Sequence, residues 1–225
     1  MNHHLFPITI IDNFYKDPDS VRELALKQKE WNPDPDGRWP GVRTKNIQYI
    51  DTDLYDYFCK LLVSVFYDQN NPFYIDIATC FQNISPRHED KYHPKNKGYL
   101  HMDGCLFGGL IYLNKQTESD TGTSLYTPDN GYYSTDNSIV EFKKNDYLGK
   151  IEPTDEQYNE VHSISKNGLT ETVKIENVYN RCILFSGNQH HAAQTFGSIG
   201  DRLTQVFFCF GLETSMPYPL SKPIE

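Results

Sequence analysis

The spacing of apolar residues over the first 72 positions predicts a short strand followed by two helices. Residues 8–11 form a mostly β-branched run, which is typical of a strand. Asp17 and Pro18 have the form of a helix N-cap with proline in the first turn, and apolar residues then recur at helical spacing. Residues 32–41 are rich in proline, aspartate and glycine, which predicts a loop. Residues 52–67 carry one apolar stripe, which predicts a second helix packed on a sheet.

From residue 73 the pattern changes to short runs rich in β-forming residues, separated by long polar connections. One further helix is predicted at residues 153–163, with Thr154 as its N-cap and two acidic residues in its first turn. The predicted strands are residues 73–83, 106–114, 124–126, 138–142, 179–185 and 203–210.

This order of elements, helices first and then strands with turn-rich connections, favours a mainly β fold with supporting helices. The sheets are expected to form an antiparallel sandwich or barrel. No linker-like segment interrupts the pattern, so we expect residues 1–225 to form a single domain. N-terminal helical support would cover about residues 1–72, and the β core about residues 73–212.

Composition and charge indicate a globular protein and disfavour some classes of partner, but they do not identify the reaction. A hydrophobic content of 38% and an aromatic content of 14% suit a globular protein. The net charge of −9 disfavours nucleic acid and anionic membrane surfaces as partners, because both are polyanions. No apolar run approaches the roughly 18 residues of a membrane span.

The cysteines predict free thiols in a reducing compartment. Their number is odd and no CxxC spacing occurs, so a disulfide framework is not expected. The first residues also lack the basic region and apolar core of a signal peptide. We therefore expect a soluble cytoplasmic protein. The cysteines are Cys59, Cys80, Cys105, Cys182 and Cys209.

Three separated residues supply ligands of the kind that iron(II) prefers. His101 and Asp103 are two residues apart, so in an extended chain they point to the same side. The adjacent pair His190 and His191 offers one more imidazole, because neighbouring residues of a strand face opposite ways. Two imidazoles and one carboxylate can bind iron(II) on one face and leave the opposite positions open. The alternative is that His101 and Asp103 are a coincidental surface pair.

Arg202 and Thr204 provide groups that a dicarboxylate co-substrate would need. They share one face of the last predicted strand. A guanidinium among apolar neighbours requires a paired anion, and its planar fork binds a carboxylate through two hydrogen bonds. The alternative is an exposed ion pair between Arg202 and Asp201 at the strand edge. The other inward positions of this strand are predicted to be Val206, Phe208 and Phe210.

Taken together, His101-x-Asp103, His191 and Arg202-x-Thr204 resemble the iron(II)/2-oxoglutarate-dependent oxygenases, which have a double-stranded β-helix (jelly-roll) core. Residues 110–114 are similar to the strand of prolyl-hydroxylase-type members that carries a 2-oxoglutarate-binding tyrosine, here Tyr112. Residues 11–18 and 39–44 resemble bacterial and phage members more loosely.

This resemblance implies a jelly-roll core over about residues 73–212 and a dioxygenase that uses iron(II), 2-oxoglutarate and O2. Iron ligands would be His101, Asp103 and His191, the last preferred over His190 because small residues follow it. The C5 carboxylate of 2-oxoglutarate would meet Arg202, with the Thr204 and Tyr112 hydroxyls as further donors.

The reaction implied is oxidative decarboxylation of 2-oxoglutarate to succinate, coupled to hydroxylation of a small-molecule or peptidyl substrate. An amino acid or an amino-acyl side chain, such as a prolyl ring, fits this expectation. Halogenases of the superfamily carry a small residue in place of Asp103, so the aspartate favours hydroxylation. Tyr132 and Tyr133 lie in a turn-rich stretch that could form a lid.

Two other classes of protein remain compatible with the sequence. A zinc-dependent hydrolase could use the same three ligands, although it leaves Arg202 and Thr204 without a role. A non-enzymatic β-sandwich binding module would place His101 and His191 far apart.

Overall fold

Two antiparallel sheets of unequal size pack face to face in this protein. The computed structural model describes residues 7–68, 70–130 and 136–215. In that part of the chain the strands are β1 (Thr9–Ile11), β2 (Asn32–Pro33), β3 (Val42–Arg43), β4 (Phe73–Ile84), β5 (Phe107–Tyr112), β6 (Thr123–Pro128), β7 (Leu169–Ile175), β8 (Cys182–Ser186), β9 (His190–Ala193) and β10 (Arg202–Thr214). The helices are α1 (Pro18–Leu26), α2 (Thr52–Ser64), α3 (Asn137–Tyr147) and α4 (Asp155–Lys166), with 3-10 turns at Ile47–Tyr49 and Pro94–Asn96.

The larger sheet has the strand order β1-β8-β5-β10-β4-β3-β2, and the smaller sheet has the order β7-β6-β9. Strand β10 lies at the centre of the larger sheet, where it pairs antiparallel with both β4 and β5. The N-terminal segment contributes edge strands as well as helices, since β1 pairs with β8 and β3 pairs with β4.

Strand β10 divides the core into two layers, because alternate residues point to opposite faces. On one face Phe207 is fully buried, and its ring centroid lies 5.4 Å from that of Phe58 on α2. Burying a phenylalanine of this kind contributes about 1.5–3 kcal/mol. The layer between the two sheets is a second apolar cluster. Its buried members are Tyr112, Leu125, Ile175, Ile183 and Phe185.

The first two helices lie where the sequence pattern predicts them. The Asp17 side chain accepts a hydrogen bond from the Ser20 N–H, and Pro18 occupies the first turn of α1. Asp51 caps α2 by accepting from the Leu54 N–H at 2.9 Å. Helix α2 ends at Ser64, three residues before the predicted boundary.

Helix α4 also begins at its predicted cap. Thr154 and Gln157 form a reciprocal capping box, in which each side chain accepts from the other residue's N–H. The predicted strand at residues 138–142 is wrong, because this segment lies in α3. Its β-forming composition is outweighed by Asp136, whose side chain accepts from the Ser138 N–H at 2.8 Å and starts the helix.

Three further differences from the expected elements concern strands. Strands β7 and β9 were not predicted, and both belong to the smaller sheet. The predicted loop 32–41 contains the two-residue strand β2, which pairs with β3. Phe210 is 55% exposed rather than inward, because the register shifts between Cys209 and Gly211. A bulge of this kind cannot be read from alternation alone.

All five cysteines are free thiols, and four of them are buried. Within the described ranges, no helix combines the length and the apolar character that crossing a membrane requires.

Candidate active site

A backbone bridge holds His101 and His191 side by side. His191 lies on β9, and His101 lies in the segment that leads to β5. The His101 N–H donates to the His191 carbonyl at 3.1 Å, and the His191 N–H donates to the His101 carbonyl at 2.9 Å. Their ring centroids are 4.3 Å apart. The main chain therefore positions both imidazoles before any ligand binds.

The hydrogen bonds of these two rings define which nitrogen is available. Nδ1 of His101 lies 2.9 Å from the Tyr99 carbonyl oxygen, and Nδ1 of His191 lies 2.9 Å from that of Gln189. A carbonyl oxygen only accepts, so each Nδ1 carries the proton and each Nε2 presents a lone pair. The two Nε2 atoms face Asp103, at 3.6 Å from Oδ1 and 3.5 Å from Oδ2 respectively.

Asp103 is held in place by close backbone contacts that require glycine. Its N–H donates to the Gly187 carbonyl at 3.0 Å. A Cβ atom at Gly187 would lie 1.9 Å from the Cys105 carbonyl oxygen, so no other residue fits there. Gly104 has φ +65°, a conformation that glycine adopts readily. These two glycines let the segment around Asp103 turn tightly beside the start of β9.

The three side chains lie close enough together to hold one metal ion. One ligand atom from each of His101, Asp103 and His191 lies within 4.8 Å of the other two. Burial, followed by the neighbouring His191 imidazole, holds the pKa of His101 well below its usual range, so its ring is neutral near pH 7. Neutral imidazole is the form that binds a metal. Two imidazoles and a carboxylate suit iron(II), and the assignment of these residues as its ligands stays a prediction.

A pocket of about 700 Å³, including its open mouth, extends from this triad to Arg202 on β10. Its walls are partly apolar, with contributions from Leu110, Phe185 and Val206. Arg202 is only 5% exposed. The pocket therefore connects a metal-binding group at one end with a buried cation at the other.

The Arg202 guanidinium is incompletely satisfied. Its Nε donates to the Thr121 carbonyl at 3.1 Å, whereas its Nη2 is buried and has no hydrogen-bond partner in the described chain. The alternative of an exposed ion pair with Asp201 is wrong, because Arg202 is buried and forms no ion pair with a described carboxylate, whereas the exposed Asp201 accepts from Asn83 Nδ2 at 2.6 Å. Burial lowers the pKa of Arg202, which shows how poorly its charge is solvated. A buried cation without an anion is unfavourable, so this site is suited to bind one.

Two hydroxyl-bearing residues, Thr204 and Tyr112, pair with each other on the strands beside this guanidinium. Thr204 is fully buried, and its Oγ1 has no hydrogen-bond partner among the described residues. The Tyr112 hydroxyl lies 2.8 Å from Thr123 Oγ1, and the Arg202 guanidinium carbon is 5.4 Å from the Tyr112 ring centroid. The predicted co-substrate residues thus lie together, and their roles stay predictions.

Comparison with family models identifies the family of this chain. The model described as "Family of unknown function (DUF6445)" matches residues 1–196. The chain belongs to the DUF6445 family. The matched region includes His101, Asp103 and His191 and ends before Arg202. No curated protein matches the DUF6445 chain.

Solved structures share the fold of the DUF6445 chain. A prolyl-4-hydroxylase from Pseudomonas putida is 14% identical with a TM-score of 0.53, over 90% of this chain and 91% of that one. HygX from Streptomyces hygroscopicus, with nickel and 2-oxoglutarate bound, is 14% identical with a TM-score of 0.55, over 94% and 84% of the two chains. A Trichoplax adhaerens prolyl hydroxylase in complex with a peptide is 12% identical with a TM-score of 0.54, over 90% and 83%. The predicted 2-oxoglutarate oxygenase fold, mainly β with a jelly-roll core and supporting helices, is confirmed.

The DUF6445 chain also has a supporting layer behind the triad that the sequence did not reveal. Asp146 on α3 is buried and accepts two hydrogen bonds from Arg87, both at 2.7 Å. It also accepts from the hydroxyls of Tyr158, at 2.6 Å, and Tyr99, at 3.0 Å. Because the Tyr99 carbonyl orients His101, this network reaches the candidate metal centre through one residue.

The structure places the remaining histidines that it describes outside the candidate metal site. His190 is buried on β9 but lies outside the group formed by His101, Asp103 and His191. His162, which the sequence did not single out, is buried on α4 and stacks on Tyr99 with ring centroids 5.0 Å apart. The proposed lid residues Tyr132 and Tyr133 lie outside the described residues. The burial of His162 could not be predicted because its partners, Tyr99 and the Pro94 carbonyl, are distant in the chain.

Proposed function

We propose that this DUF6445 protein is an iron(II)- and 2-oxoglutarate-dependent dioxygenase that hydroxylates its substrate. In the balanced reaction, 2-oxoglutarate, O2 and a substrate C–H bond give succinate, CO2 and a C–OH group. One oxygen atom enters the succinate carboxylate and the other enters the new hydroxyl. His101, Asp103 and His191 would hold the iron, and Arg202, Thr204 and Tyr112 would hold the co-substrate.

One observation carries this proposal: the buried Arg202, whose Nη2 lacks a partner in the described chain, lines the same pocket as His101, Asp103 and His191. A dicarboxylate satisfies both ends at once. One carboxylate pairs with the guanidinium in two parallel hydrogen bonds, which orients the rest of the molecule along the pocket. The opposite end then reaches the positions that a facial ligand set leaves open.

Bound iron(II) supplies the oxygen-activating chemistry, and the chain supplies orientation and exclusion of water. Nδ1 of each histidine donates its proton to a backbone carbonyl, which turns the Nε2 lone pair toward the metal position. Leu110, Phe185 and Val206 line the pocket between the two ends and limit access of water.

The two rival classes fit the geometry less well. A zinc hydrolase would use the same three ligands but would leave the buried Arg202 without an anion. A simple binding module was expected to separate the histidines, whereas their ring centroids are 4.3 Å apart.

The substrate is proposed to be an amino acid or an amino-acyl side chain, such as a prolyl ring, in a cytoplasmic setting. Free thiols favour a reducing compartment. Structures with this fold bind both a peptide, in the Trichoplax adhaerens prolyl hydroxylase, and hygromycin B, in HygX. Fold similarity thus leaves small-molecule and peptidyl substrates equally open.

Anaerobic absorption spectroscopy tests the proposal. Addition of iron(II) and then 2-oxoglutarate to the wild-type protein should produce the weak visible charge-transfer band of the chelate. His101→Ala and His191→Ala should lose the band, whereas His190→Ala serves as a matched control that retains it. If His190→Ala loses the band and His191→Ala keeps it, the wrong histidine was chosen. If neither change matters, the metal site itself is wrong.

A further inference from the structure

The pocket has a cationic lining that the proposed chemistry does not use. Of the described residues that line it, four are cationic and one, Asp103, is a carboxylate, although the chain carries a net charge of −9. Arg202 belongs to the proposed co-substrate site. Arg38 is already paired with Asp34 at 2.9 Å and with Asp36 at 3.5 Å. This leaves Arg43 and Lys143.

Arg43 is rigidly placed and incompletely satisfied. It lies on β3, and its guanidinium carbon is 4.1 Å from the Trp39 ring centroid and 5.3 Å from that of Phe208. Its Nη2 makes one long hydrogen bond to Gln82 Oε1, at 3.4 Å. Its Nε is buried without a partner, as is Nε1 of Trp39, and no described carboxylate lies within 4.0 Å. Two neighbouring N–H donors thus lack acceptors.

Lys143 approaches the pocket from α3. Tyr147 follows it by one turn on the same helix, and both residues line the pocket. Within the described chain Lys143 forms no ion pair, in contrast to the adjacent Lys144, which pairs with Glu141 at 3.1 Å. Burial lowers the pKa of Lys143 and of Arg43, as expected for cations that water solvates poorly.

We propose that Arg43 and Lys143 bind an anionic group of the substrate, a carboxylate or a phosphate. Trp39, Val206 and Phe208 would contact the substrate's apolar skeleton and direct it toward the metal-binding triad. The substrate class is therefore an acid with an apolar body. This inference rests on the proposed function, because it assumes that 2-oxoglutarate occupies Arg202.

The geometry favours recognition over a purely structural role. Contact with the Trp39 and Phe208 rings restricts the Arg43 fork in advance, so less side-chain entropy is lost when it binds an anion. A purely structural arginine at this position would be expected to pair with a carboxylate, as Arg38 does with Asp34. The two cations also lie on different elements, β3 and α3, and both line the same pocket.

Calorimetric titration of the anaerobic iron(II)–2-oxoglutarate protein tests this inference with three matched probes. They are 3-phenylpropanoate, its neutral amide 3-phenylpropanamide, and 2-phenylethyl phosphate. We expect at least one anion to bind about tenfold or more tightly than the amide, and the preferred anion distinguishes a carboxylate from a phosphate substrate. Arg43→Gln and Lys143→Gln should each weaken that anion about tenfold, the scale of one charged hydrogen bond. Lys144→Gln is the matched control and should not change binding.

The outcomes separate this inference from the proposed function. Loss of anion binding in Arg43→Gln and Lys143→Gln, with the 2-oxoglutarate band retained, supports the inference. Equal binding of acid and amide, or no binding of either anion at about 10 mM, overturns it while the band persists. Absence of the band from the wild-type protein contradicts the proposed function instead. If Arg43→Gln unfolds, the anion affinity of Lys143→Gln still tests the inference.

Discussion

Asp146 and Arg202 are both buried charges, yet the protein satisfies them very differently. Asp146 is 4% exposed and accepts hydrogen bonds from Arg87, Tyr99 and Tyr158. Arg202 is 5% exposed, donates through Nε to one backbone carbonyl and leaves Nη2 without a partner. The contrast separates a charge that stabilises the fold from one that is suited to a ligand.

Asp146 and Arg202 differ in which groups offset the cost of removing their charges from water. Burial raises the pKa of Asp146, but hydrogen bonds from Arg87 and Tyr158 outweigh it and hold that pKa below the usual range. Its anion is therefore the stable form. Around Arg202, burial lowers the pKa and no carboxylate of the described chain opposes it. An external carboxylate would supply the missing compensation.

The largest expected effect follows from breaking the satisfied network. Asp146→Ala should lower the free energy of unfolding by about 3–5 kcal/mol, because it leaves the Arg87 guanidinium, whose side chain is only 18% exposed, without its anion. Urea denaturation of the metal-free protein measures this. Glu141→Gln, which removes an exposed ion pair on the same helix, should change stability by less than about 1 kcal/mol. A loss under about 1 kcal/mol in Asp146→Ala would show that the network is not structural.

We expect the stability of the protein to fall in acid because of His162, which lies in the same region. Burial lowers the pKa of His162 to about 4, and the residue is 5% exposed. The unfolded chain binds this proton near pH 6.5, so the stabilising effect of a neutral His162 is complete above that pH. It is lost as the pH falls toward 4, by up to about 3 kcal/mol. His162→Phe keeps the ring stacking on Tyr99 and should flatten the difference in unfolding free energy between pH 7 and pH 5. An unchanged pH dependence would assign the acid sensitivity to other groups.

Changing Arg202 should affect ligand binding and leave stability nearly intact. Arg202→Lys should weaken 2-oxoglutarate binding by about 1–3 kcal/mol, because an ammonium cannot form two parallel hydrogen bonds. Tyr112→Phe should weaken it less, since only one neutral donor is removed. Titration of 2-oxoglutarate into the iron(II) protein provides the affinities. Full affinity in Arg202→Ala would favour the zinc-hydrolase alternative.

The smallest expected effect concerns Thr204. Thr204→Val keeps the side-chain volume and removes a hydroxyl whose oxygen has no partner in the described chain. It should weaken 2-oxoglutarate binding by about 0.5–1.5 kcal/mol without lowering stability. Affinity and urea midpoint measured on one preparation would test this. A loss of stability without a loss of affinity would assign Thr204 a structural role.

Short-range patterns in the sequence could predict much of this site. His101 with Asp103, and Arg202 with Thr204, are pairs two residues apart, and strand geometry places such pairs on one side. The helix caps at Asp17, Asp51 and Thr154 are equally local signals. The predicted fold class rests on these local patterns and on the family resemblance, and comparison with solved structures confirms it.

Other features depend on long-range packing and could not be predicted. Residues 138–142 have the composition of a strand, and the helix α3 forms instead because Asp136 caps it and Ile139 is buried. Because that helix was not predicted, the positions of Lys143 and Asp146, which lie on it, could not be predicted either. The partners of these residues, such as Arg87, are distant in the chain, so no sequence spacing links them.

Conversion of 2-oxoglutarate to succinate is the reaction that the proposed function most directly requires. The purified protein, supplied with iron(II), 2-oxoglutarate and air, should form succinate, slowly alone and faster with a substrate. Asp103→Ala should form none, and Arg202→Lys should recover activity at higher 2-oxoglutarate concentration. If the wild-type protein binds iron(II) and 2-oxoglutarate yet forms no succinate, or if Asp103→Ala forms as much, the dioxygenase assignment is contradicted.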